Sequence, residues 1–352
     1  MVKKLSRKDF LKLGMTGMAA LSFLPLPNIQ PAESDLSVAR VSTSSLSVYS
    51  RPDDTSTILY QRFRDELVNI YYDVVSEAGP EYNPLWYRVW GGYMHSAHLV
   101  KVTTRYNPVE HTFPEAGSLA TVTVPYTQSM VYSTKDGWQP MYRLYEGSNH
   151  WVLEVTEGPD GLPWYRIEDE MDVYYTYFAP AHHFHIVTAE EISPISPDLP
   201  HHAKRIEVSL VRQVLTAFEW DQVVLETKIS SGIPYNIAPP GSIPTRTPKG
   251  TFNVAVKMPS KHMGDGRFTS DIEAYEIPGV PWVCFFEPVT GVATHGTYWH
   301  RNFGTPMSKG CINMVSEEAQ WLFRWCDPKV EMQEFKKSVW DKRGFGTKVV
   351  VY

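Results

Sequence analysis

The sequence predicts a mainly β protein built from several domains. Its 352 residues exceed what one hydrophobic core usually organises, so two or three domains are expected. It contains 27 prolines, 11 tryptophans and 20 tyrosines, a composition that favours short strands and turns over long helices. Short alternating segments separated by turn residues recur along the chain, and the one persuasive helical pattern lies near the C-terminal end.

The charges and the cysteines argue against several classes of protein. The net charge is −6, from 33 basic and 39 acidic side chains without a long run of either sign, so nucleic acid is not an expected partner. The 3 cysteines form no Cys-x-x-Cys motif, which indicates neither a disulfide framework nor a cysteine zinc site. A single free thiol with a chemical role stays open.

Two groups of histidines resemble metal ligands in composition only. No acidic residue or cysteine joins them at ligand spacing, so surface or turn positions are the better interpretation and no metal is expected. The residues concerned are His182, His183, His185, His201 and His202.

Residues 1–27 have the pattern of an export signal. Several basic residues precede a run over residues 13–26 that carries no charge, and this run is shorter than the roughly 20 residues of a spanning helix. Residues 6–12 resemble a twin-arginine signal in which Lys8 occupies the second arginine position. We therefore expect an exported protein in the cell wall or a periplasm-like space, anchored to the membrane only if the signal stays uncleaved. Residues 28–38 are predicted to be a linker.

Two related segments follow, at residues 39–105 and 118–190. A Trp-Tyr-Arg-aliphatic tetrad begins at Trp86 and again at Trp164, and the His-Leu-Val triplet at His98 is echoed by His-Ile-Val at His185. With their short strands, and with the Gly91-Gly92 turn of the first segment, they resemble the bacterial Src-homology-3-like domains that accompany cell-wall enzymes. The resemblance implies two small β-barrels, the second degenerate. Their aromatic residues serve either strand packing or contact with wall glycan or peptide.

Residues 204–352 form a third predicted domain. Alternation at 205–210 and 213–219, with a third segment at 222–229 that pairs onward, predicts a three-stranded meander. Further strands are expected at 282–286, 291–294 and 346–352. A helix is predicted after Ser316, because acidic residues suit its first turn and apolar residues then lie on one face. Those residues are Glu317, Glu318, Ala319, Leu322, Phe323 and Trp325.

The candidate chemistry lies between residues 295 and 313. A cysteine attacks a carbonyl well only as the thiolate, so it needs a nearby base and backbone N–H groups for the developing oxyanion. Cys311 follows Gly310, which permits a tight turn, and His295 stands at the end of an apolar strand before Gly296. From these residues alone, packing is an alternative role for both His295 and Cys311.

Two sequence motifs favour the catalytic role over packing. His295-Gly296-Thr297 and Ser308-Lys309-Gly310-Cys311-Ile312-Asn313 resemble the catalytic signature of the YkuD-type L,D-transpeptidases, and residues 205–352 follow the order of that family. The resemblance implies a β-sandwich-like catalytic domain with one late helix. Lys309 replaces the histidine that usually precedes Gly-Cys in the family.

The resemblance also implies an activity: acyl transfer on peptidoglycan stem peptides, with release of terminal D-Ala and cross-linking to an amine, without metal or cofactor. Cys311 would be the nucleophile, His295 the proton donor and acceptor, and the Gly296 carbonyl would orient His295. The N–H groups of Lys309 and Gly310, with that of Cys311, would bind the oxyanion. The remaining expected roles are bracing or substrate binding by Ser308, Asn313, Tyr298, Trp299 and His300, with loop packing as the alternative for the last three.

Two alternatives stay open at this level. The same acyl-enzyme resolved by water would make the protein an L,D-carboxypeptidase. Lys309 could also accompany lost activity in a wall-binding protein, although both His295 and Cys311 are present. If the enzyme is active, we expect the Lys309 ammonium to favour the thiolate of Cys311.

Overall fold

The computed structural model describes residues 37–170, 175–234, 245–264, 276–287, 289–329 and 346–352. The predicted export segment and residues 28–36 of the predicted linker lie outside them, and the first strand begins at Ser37. The described residues are mostly strands with a single α-helix, which confirms the predicted mainly β class. Across the described ranges, no helix is both long enough and apolar enough to cross a membrane.

Module 1, residues 37–102, consists of two small sheets around a common core. One sheet has the order β4-β1-β8 and the other β3-β2-β7-β6-β5. The core between them contains Val41, Val48, Ile70, Met94 and Leu99. The strands are β1 (Ser37–Val41), β2 (Ser45–Tyr49), β3 (Ile58–Phe63), β4 (Leu67–Ile70), β5 (Tyr72–Val75), β6 (Leu85–Val89), β7 (Gly92–His95) and β8 (Leu99–Val102).

Module 2, residues 118–186, is a seven-stranded antiparallel sheet of order β11-β10-β14-β13-β12-β9-β15. Its own core contains Val122, Leu144, Ile167, Tyr177 and Phe184. The strands are β9 (Ser118–Val122), β10 (Tyr126–Ser133), β11 (Gly137–Tyr145), β12 (Asn149–Glu157), β13 (Pro163–Glu168), β14 (Thr176–Pro180) and β15 (Phe184–Ile186).

The two modules share local features at the positions where the sequence repeats. Trp86 lies in β6 and Trp164 in β13, both buried. Each module closes with a short 3-10 turn that leads into its last strand, Ser96–His98 before β8 and Ala181–His183 before β15. The equivalent of His98 is therefore His183, two positions before the sequence echo at His185. The Src-homology-3-like nature of both modules stays a prediction.

The third region, from residue 204 onward, contains two sheets. One has the order β18-β17-β16-β24-β19, in which β24 runs parallel to β16. The other has the order β20-β21-β22-β23. The predicted meander corresponds to the first three of these strands. The strands are β16 (Lys204–Ser209), β17 (Val214–Glu219), β18 (Gln222–Lys228), β19 (Gly250–Asn253), β20 (Val256–Gly264), β21 (Glu276–Glu287), β22 (Val292–Gly296), β23 (Ile312–Met314) and β24 (Lys348–Val351).

The helix α1 (Ser316–Trp325) packs on β21 and β22, and its acidic first turn suits the positive end of the helix dipole. Its predicted apolar face is buried; a fully buried leucine such as Leu322 contributes about 1.5–3 kcal/mol relative to an exposed one. The same core includes Leu119, Trp151 and Val187, which come from module 2 and the chain just after it. Module 2 and the third region are therefore joined by one continuous hydrophobic core.

Candidate active site

Two parallel strands bring the predicted catalytic residues together. His295 lies in β22 and pairs in register with Asn313 of β23. Cys311 stands two residues before Asn313, and side chains two apart along an extended chain point to the same side. His295 and Cys311 therefore occupy diagonal positions on one face of adjoining strands.

His295 is buried and its protonation pattern is set by one neighbour. Nδ1 of His295 lies 2.9 Å from the carbonyl oxygen of Gly296. Because a carbonyl can only accept a hydrogen bond, Nδ1 carries the ring proton and Nε2 keeps a lone pair. Burial lowers the pKa of His295 to about 4, although its hydrogen bond with Gly296 acts in the opposite direction. At neutral pH the ring is a neutral base with Nε2 available.

Gly296 also permits close packing around this histidine. A Cβ atom at Gly296 would lie 2.9 Å from Cγ of Pro281 and 3.1 Å from Cα of Ser316. These distances are too short for an ordinary Cβ contact, so the absence of a side chain lets α1 begin directly against the end of β22. The carbonyl that orients His295 is thereby held in place.

The thiol of Cys311 is protonated at neutral pH. Burial raises the pKa of Cys311 to about 11, although a hydrogen bond from the Ala293 backbone acts in the opposite direction. The sulfur lies 3.7 Å from the carbonyl oxygen of Gly291, so its hydrogen bond runs to the start of β22 instead of to His295.

The expected effect of Lys309 on the Cys311 thiol stays a prediction. The side chain of Lys309 is exposed, where water and salt screen its charge. The pKa of Cys311 is raised by burial, and no lowering toward a resting thiolate results. Burial of both groups therefore gives a resting pair of a neutral thiol and a neutral imidazole.

A segment that received no role from the sequence holds the turn before Cys311. The backbone N–H groups of Met307 and Ser308 donate to the carbonyl of Ser231, at 2.9 and 3.1 Å. The hydroxyl of Thr247 donates to the Gly310 carbonyl at 2.7 Å and accepts from the N–H of Gly232 at 2.8 Å. Through these contacts, Thr247 and the segment Ser230-Ser231-Gly232 support the turn before Cys311, here called the nucleophile turn.

Gly232 is required by this close approach. A Cβ atom there would lie 2.0 Å from the carbonyl oxygen of Thr245 and 2.8 Å from Cα of Gly310. The sequence signal that could have found this support is Ser230-Ser231-Gly232 followed by Thr247-Pro248-Lys249-Gly250, but the contact with the Cys311 turn depends on the fold.

Two predicted bracing and oxyanion residues interact with each other. Ser308 donates its hydroxyl to the Cys311 carbonyl and accepts from the Gly310 N–H at 3.2 Å. Gly310 has φ of 120°, a backbone conformation that favours glycine. Its N–H is engaged by Ser308 in this state, so substrate would have to replace that hydroxyl for Gly310 to bind an oxyanion.

Asn313 is braced by His300. The N–H of Asn302 donates to Nδ1 of His300 at 3.1 Å, so the single ring proton sits on Nε2. The side-chain amide of Asn313 lies 2.9 Å from Nε2, and this proton calls for the amide oxygen at that position. Burial lowers the pKa of His300 to about 3, which keeps the ring neutral.

Sequence comparison identifies the third region. A family model described as YkuD, the L,D-transpeptidase catalytic domain, matches residues 203–351. This region belongs to the L,D-transpeptidase family. No curated protein sequence matches the chain.

Three solved L,D-transpeptidase structures show the extent of the similarity. A fragment from Xylanimonas cellulosilytica is 24% identical over 44% of this chain and 62% of its own length, with a TM-score of 0.29. A protein from Mycobacterium smegmatis is 19% identical over 51% of this chain and 74% of its own length, with a TM-score of 0.32. The catalytic domain from E. faecium is 26% identical over 44% of this chain and 100% of its own length, with a TM-score of 0.27.

The L,D-transpeptidase domain turns two of the three loop residues inward. Tyr298 is buried, and its hydroxyl donates to the Pro278 carbonyl at 2.8 Å. His300 is buried against Asn313, so packing is the role that the structure favours for both. Trp299 stays partly exposed, and its ring centre lies 5.7 Å from that of His295. Trp299 is therefore the partly exposed loop side chain beside His295, and its substrate-binding role stays a prediction.

The other cysteines and the histidine groups lie apart from this site. Cys284 and Cys326 are buried free thiols whose sulfurs are 3.6 Å apart in the core of the L,D-transpeptidase domain. Nε2 of His185 lies 3.0 Å from the carboxylate of Glu191, a contact that the sequence analysis did not predict. Within the described ranges, no group of three or more His, Cys, Asp or Glu residues is arranged to hold a metal ion.

The exposed position of Lys309 gives a testable prediction. Lys309→Glu should move the pH midpoint of Cys311 alkylation by iodoacetamide by less than about half a unit, because an exposed charge is screened. Lys309→His should keep D-Ala release within about tenfold of the wild-type rate. A rise of one unit or more in the Lys309→Glu midpoint would instead show that the ammonium stabilises the thiolate.

Proposed function

We propose that this protein is a peptidoglycan L,D-transpeptidase that works through a thioester on Cys311. The observation that carries the proposal is the Nδ1 hydrogen bond of His295 to Gly296, because it leaves Nε2 as a base on the face shared with Cys311. A glycine turn precedes Cys311, whose partial exposure leaves the thiol accessible to substrate, while His295 is buried.

The first half of the reaction forms the acyl-enzyme. Nε2 of His295 takes the thiol proton while the Cys311 sulfur bonds to the carbonyl carbon of the third stem residue. The oxyanion that develops would be bound by the N–H groups of the turn from Lys309 to Cys311, of which Gly310 must first release Ser308. The bond to the D-Ala nitrogen then breaks, the imidazolium returns its proton to that nitrogen, and D-Ala leaves.

The second half resolves the thioester. The amine of a neighbouring stem attacks the thioester carbonyl, His295 takes a proton from this amine, and the carbon–sulfur bond breaks. The proton then returns to the Cys311 sulfur, so the enzyme ends as it began, with a neutral thiol and a neutral imidazole. Water in place of the amine would give the carboxypeptidase reaction with the same groups.

Mass spectrometry of muropeptides tests this proposal. The purified full chain is incubated with disaccharide-tetrapeptides, and we expect free D-Ala together with dimers joined through the third residues of both stems. Tripeptides without dimers would identify a hydrolase. If the wild type is inert and Lys309→His releases D-Ala, the natural protein is an impaired enzyme, and wall binding becomes its better assignment.

The proposal includes export and wall contact, because peptidoglycan lies outside the cytoplasm. Module 1 exposes Trp90 and Tyr72, and exposed aromatic faces suit stacking against sugar rings. Export is tested by fusing a reporter after residue 38. The reporter should leave the cytoplasm, and substitution of Arg7 should reduce this only if the twin-arginine route is used. Retention of the intact fusion in the cytosol of a competent host would contradict export.

A further inference from the structure

The segment that links the two catalytic residues is contacted by module 1. This bridging segment, residues 297–304, runs from the end of β22 toward the Cys311 turn. Arg40 of β1 donates to the Tyr298 carbonyl at 2.8 Å. The N–H of Arg301 donates to the Ala97 carbonyl at 2.9 Å, and Asn83 donates to the side chain of Asn302 at 3.1 Å. Three separate hydrogen bonds thus join an N-terminal module to the active-site loop.

The first of these contacts leads to the catalytic base. Arg40 is buried, with its guanidinium 4.0 Å from the Tyr145 ring centre and 3.4 Å from the Asp65 carboxylate. A buried cation persists only where such partners compensate for lost water. Arg40 fixes the Tyr298 backbone, and the Tyr298 ring packs edge-on against Trp299, the neighbour of His295.

The second contact leads to the nucleophile turn. The Asn83 side-chain oxygen accepts from the Ser96 hydroxyl at 3.1 Å, which aims its amide N–H at Asn302. Asn302 in turn donates its backbone N–H to His300, and His300 bonds to Asn313. Asn313 pairs with His295 in register and stands two residues after Cys311. A series of hydrogen bonds therefore runs from module 1 to β23, the strand that begins directly after Cys311.

We propose that module 1 is a working part of the catalytic centre, in which Arg40 and Asn83 are positioning residues for His295 and Cys311. They act by holding the bridging segment: Trp299 packs with Cys311 against one apolar cluster, so movement of this segment would admit water to the thiol. Module 1 is then more than a tethered wall-binding attachment. This inference rests on the proposed transpeptidase function.

Asn83→Ala in the full chain is the test. It leaves the Asn302 oxygen buried without its partner, and the bridging segment should loosen. We expect kcat for D-Ala release to fall by about tenfold with little change in KM, because geometry and not substrate contact is lost. The thiol should become better hydrated, so the midpoint of Cys311 alkylation should fall and alkylation at pH 8 should become faster. Slower catalysis with faster alkylation is a combination that simple destabilisation far below Tm does not give.

Two further variants make the result decisive. Asn107→Ala is the matched control, since Asn107 is a partly buried residue that donates to Thr123 and does not contact the bridging segment. It should keep the wild-type kcat and alkylation midpoint. Asn302→Ala combined with Asn83→Ala should be no slower than Asn302→Ala alone, because Asn302→Ala already removes the contact with Asn83.

The opposite results are equally clear. Wild-type kcat and midpoint in Asn83→Ala, or effects that add fully in the double variant, would overturn the positioning role. If the wild type releases no D-Ala, the transpeptidase proposal fails separately. The alkylation comparison would then still show whether module 1 controls the environment of Cys311.

Discussion

Replacement of Cys311 by alanine should reduce D-Ala release by at least about 10³-fold, because the thioester can no longer form. Of the three cysteines, Cys311 alone lies at a glycine turn beside β22, whereas the sulfurs of Cys284 and Cys326 face each other in the core. The measurement is D-Ala release per enzyme under saturating stem peptide, with the melting temperature recorded to show that Cys311→Ala is folded.

The matched controls are the other two cysteines. Cys284→Ala and Cys326→Ala each remove a buried sulfur, so we expect a lower melting temperature but most of the activity below it. A carbapenem should add its mass to the wild type and to both controls, and not to Cys311→Ala. Acylation at Cys284 or Cys326, or full activity in Cys311→Ala, would contradict the assignment of the nucleophile.

Replacement of His295 by glutamine should reduce D-Ala release by about 10²–10⁴-fold, the usual contribution of a general base. Glutamine occupies similar space but cannot take the thiol proton. In the wild type the pKa of His295 is lowered to about 4 and that of Cys311 is raised to about 11, both by burial. The rate should therefore fall as the pH drops through about 4, where His295 becomes protonated, and stay level across neutral pH.

The pH profile of the variant separates the two routes to the nucleophile. Without a base, attack in His295→Gln depends on the thiolate, so its residual rate should rise about tenfold per pH unit until the thiol titrates. The wild-type profile should lack this rise between about pH 6 and 9. A wild-type rate that climbs with thiolate formation through pH 8 would show that His295 does not act as the base.

Local sequence patterns predicted the strands and the late helix of the third region, and two short motifs singled out His295 and Cys311 as candidate catalytic residues. The alternating segments at 205–210 and 213–219 correspond to β16 and β17, because sheet faces impose a period of two on local sequence, and the segment at 222–229 corresponds to β18. The helix could be predicted because its acidic first turn and its apolar face are local properties of residues 316–325. His295 and Cys311 could be singled out because the motifs that contain them are short and resemble the signature of one family.

The protonation state of the site, and the residues that contact it from elsewhere in the chain, depend on the tertiary structure. In the sequence, Lys309 beside Gly310-Cys311 favoured a thiolate. In the structure, desolvation raises the pKa of Cys311, and desolvation depends on atoms distant in sequence. Tyr298 and His300 turn inward, and Thr247 and Gly232 support the nucleophile turn, for the same reason. The contacts of Arg40 and Asn83 with the bridging segment join residues 258 and 219 positions apart, which no local pattern encodes.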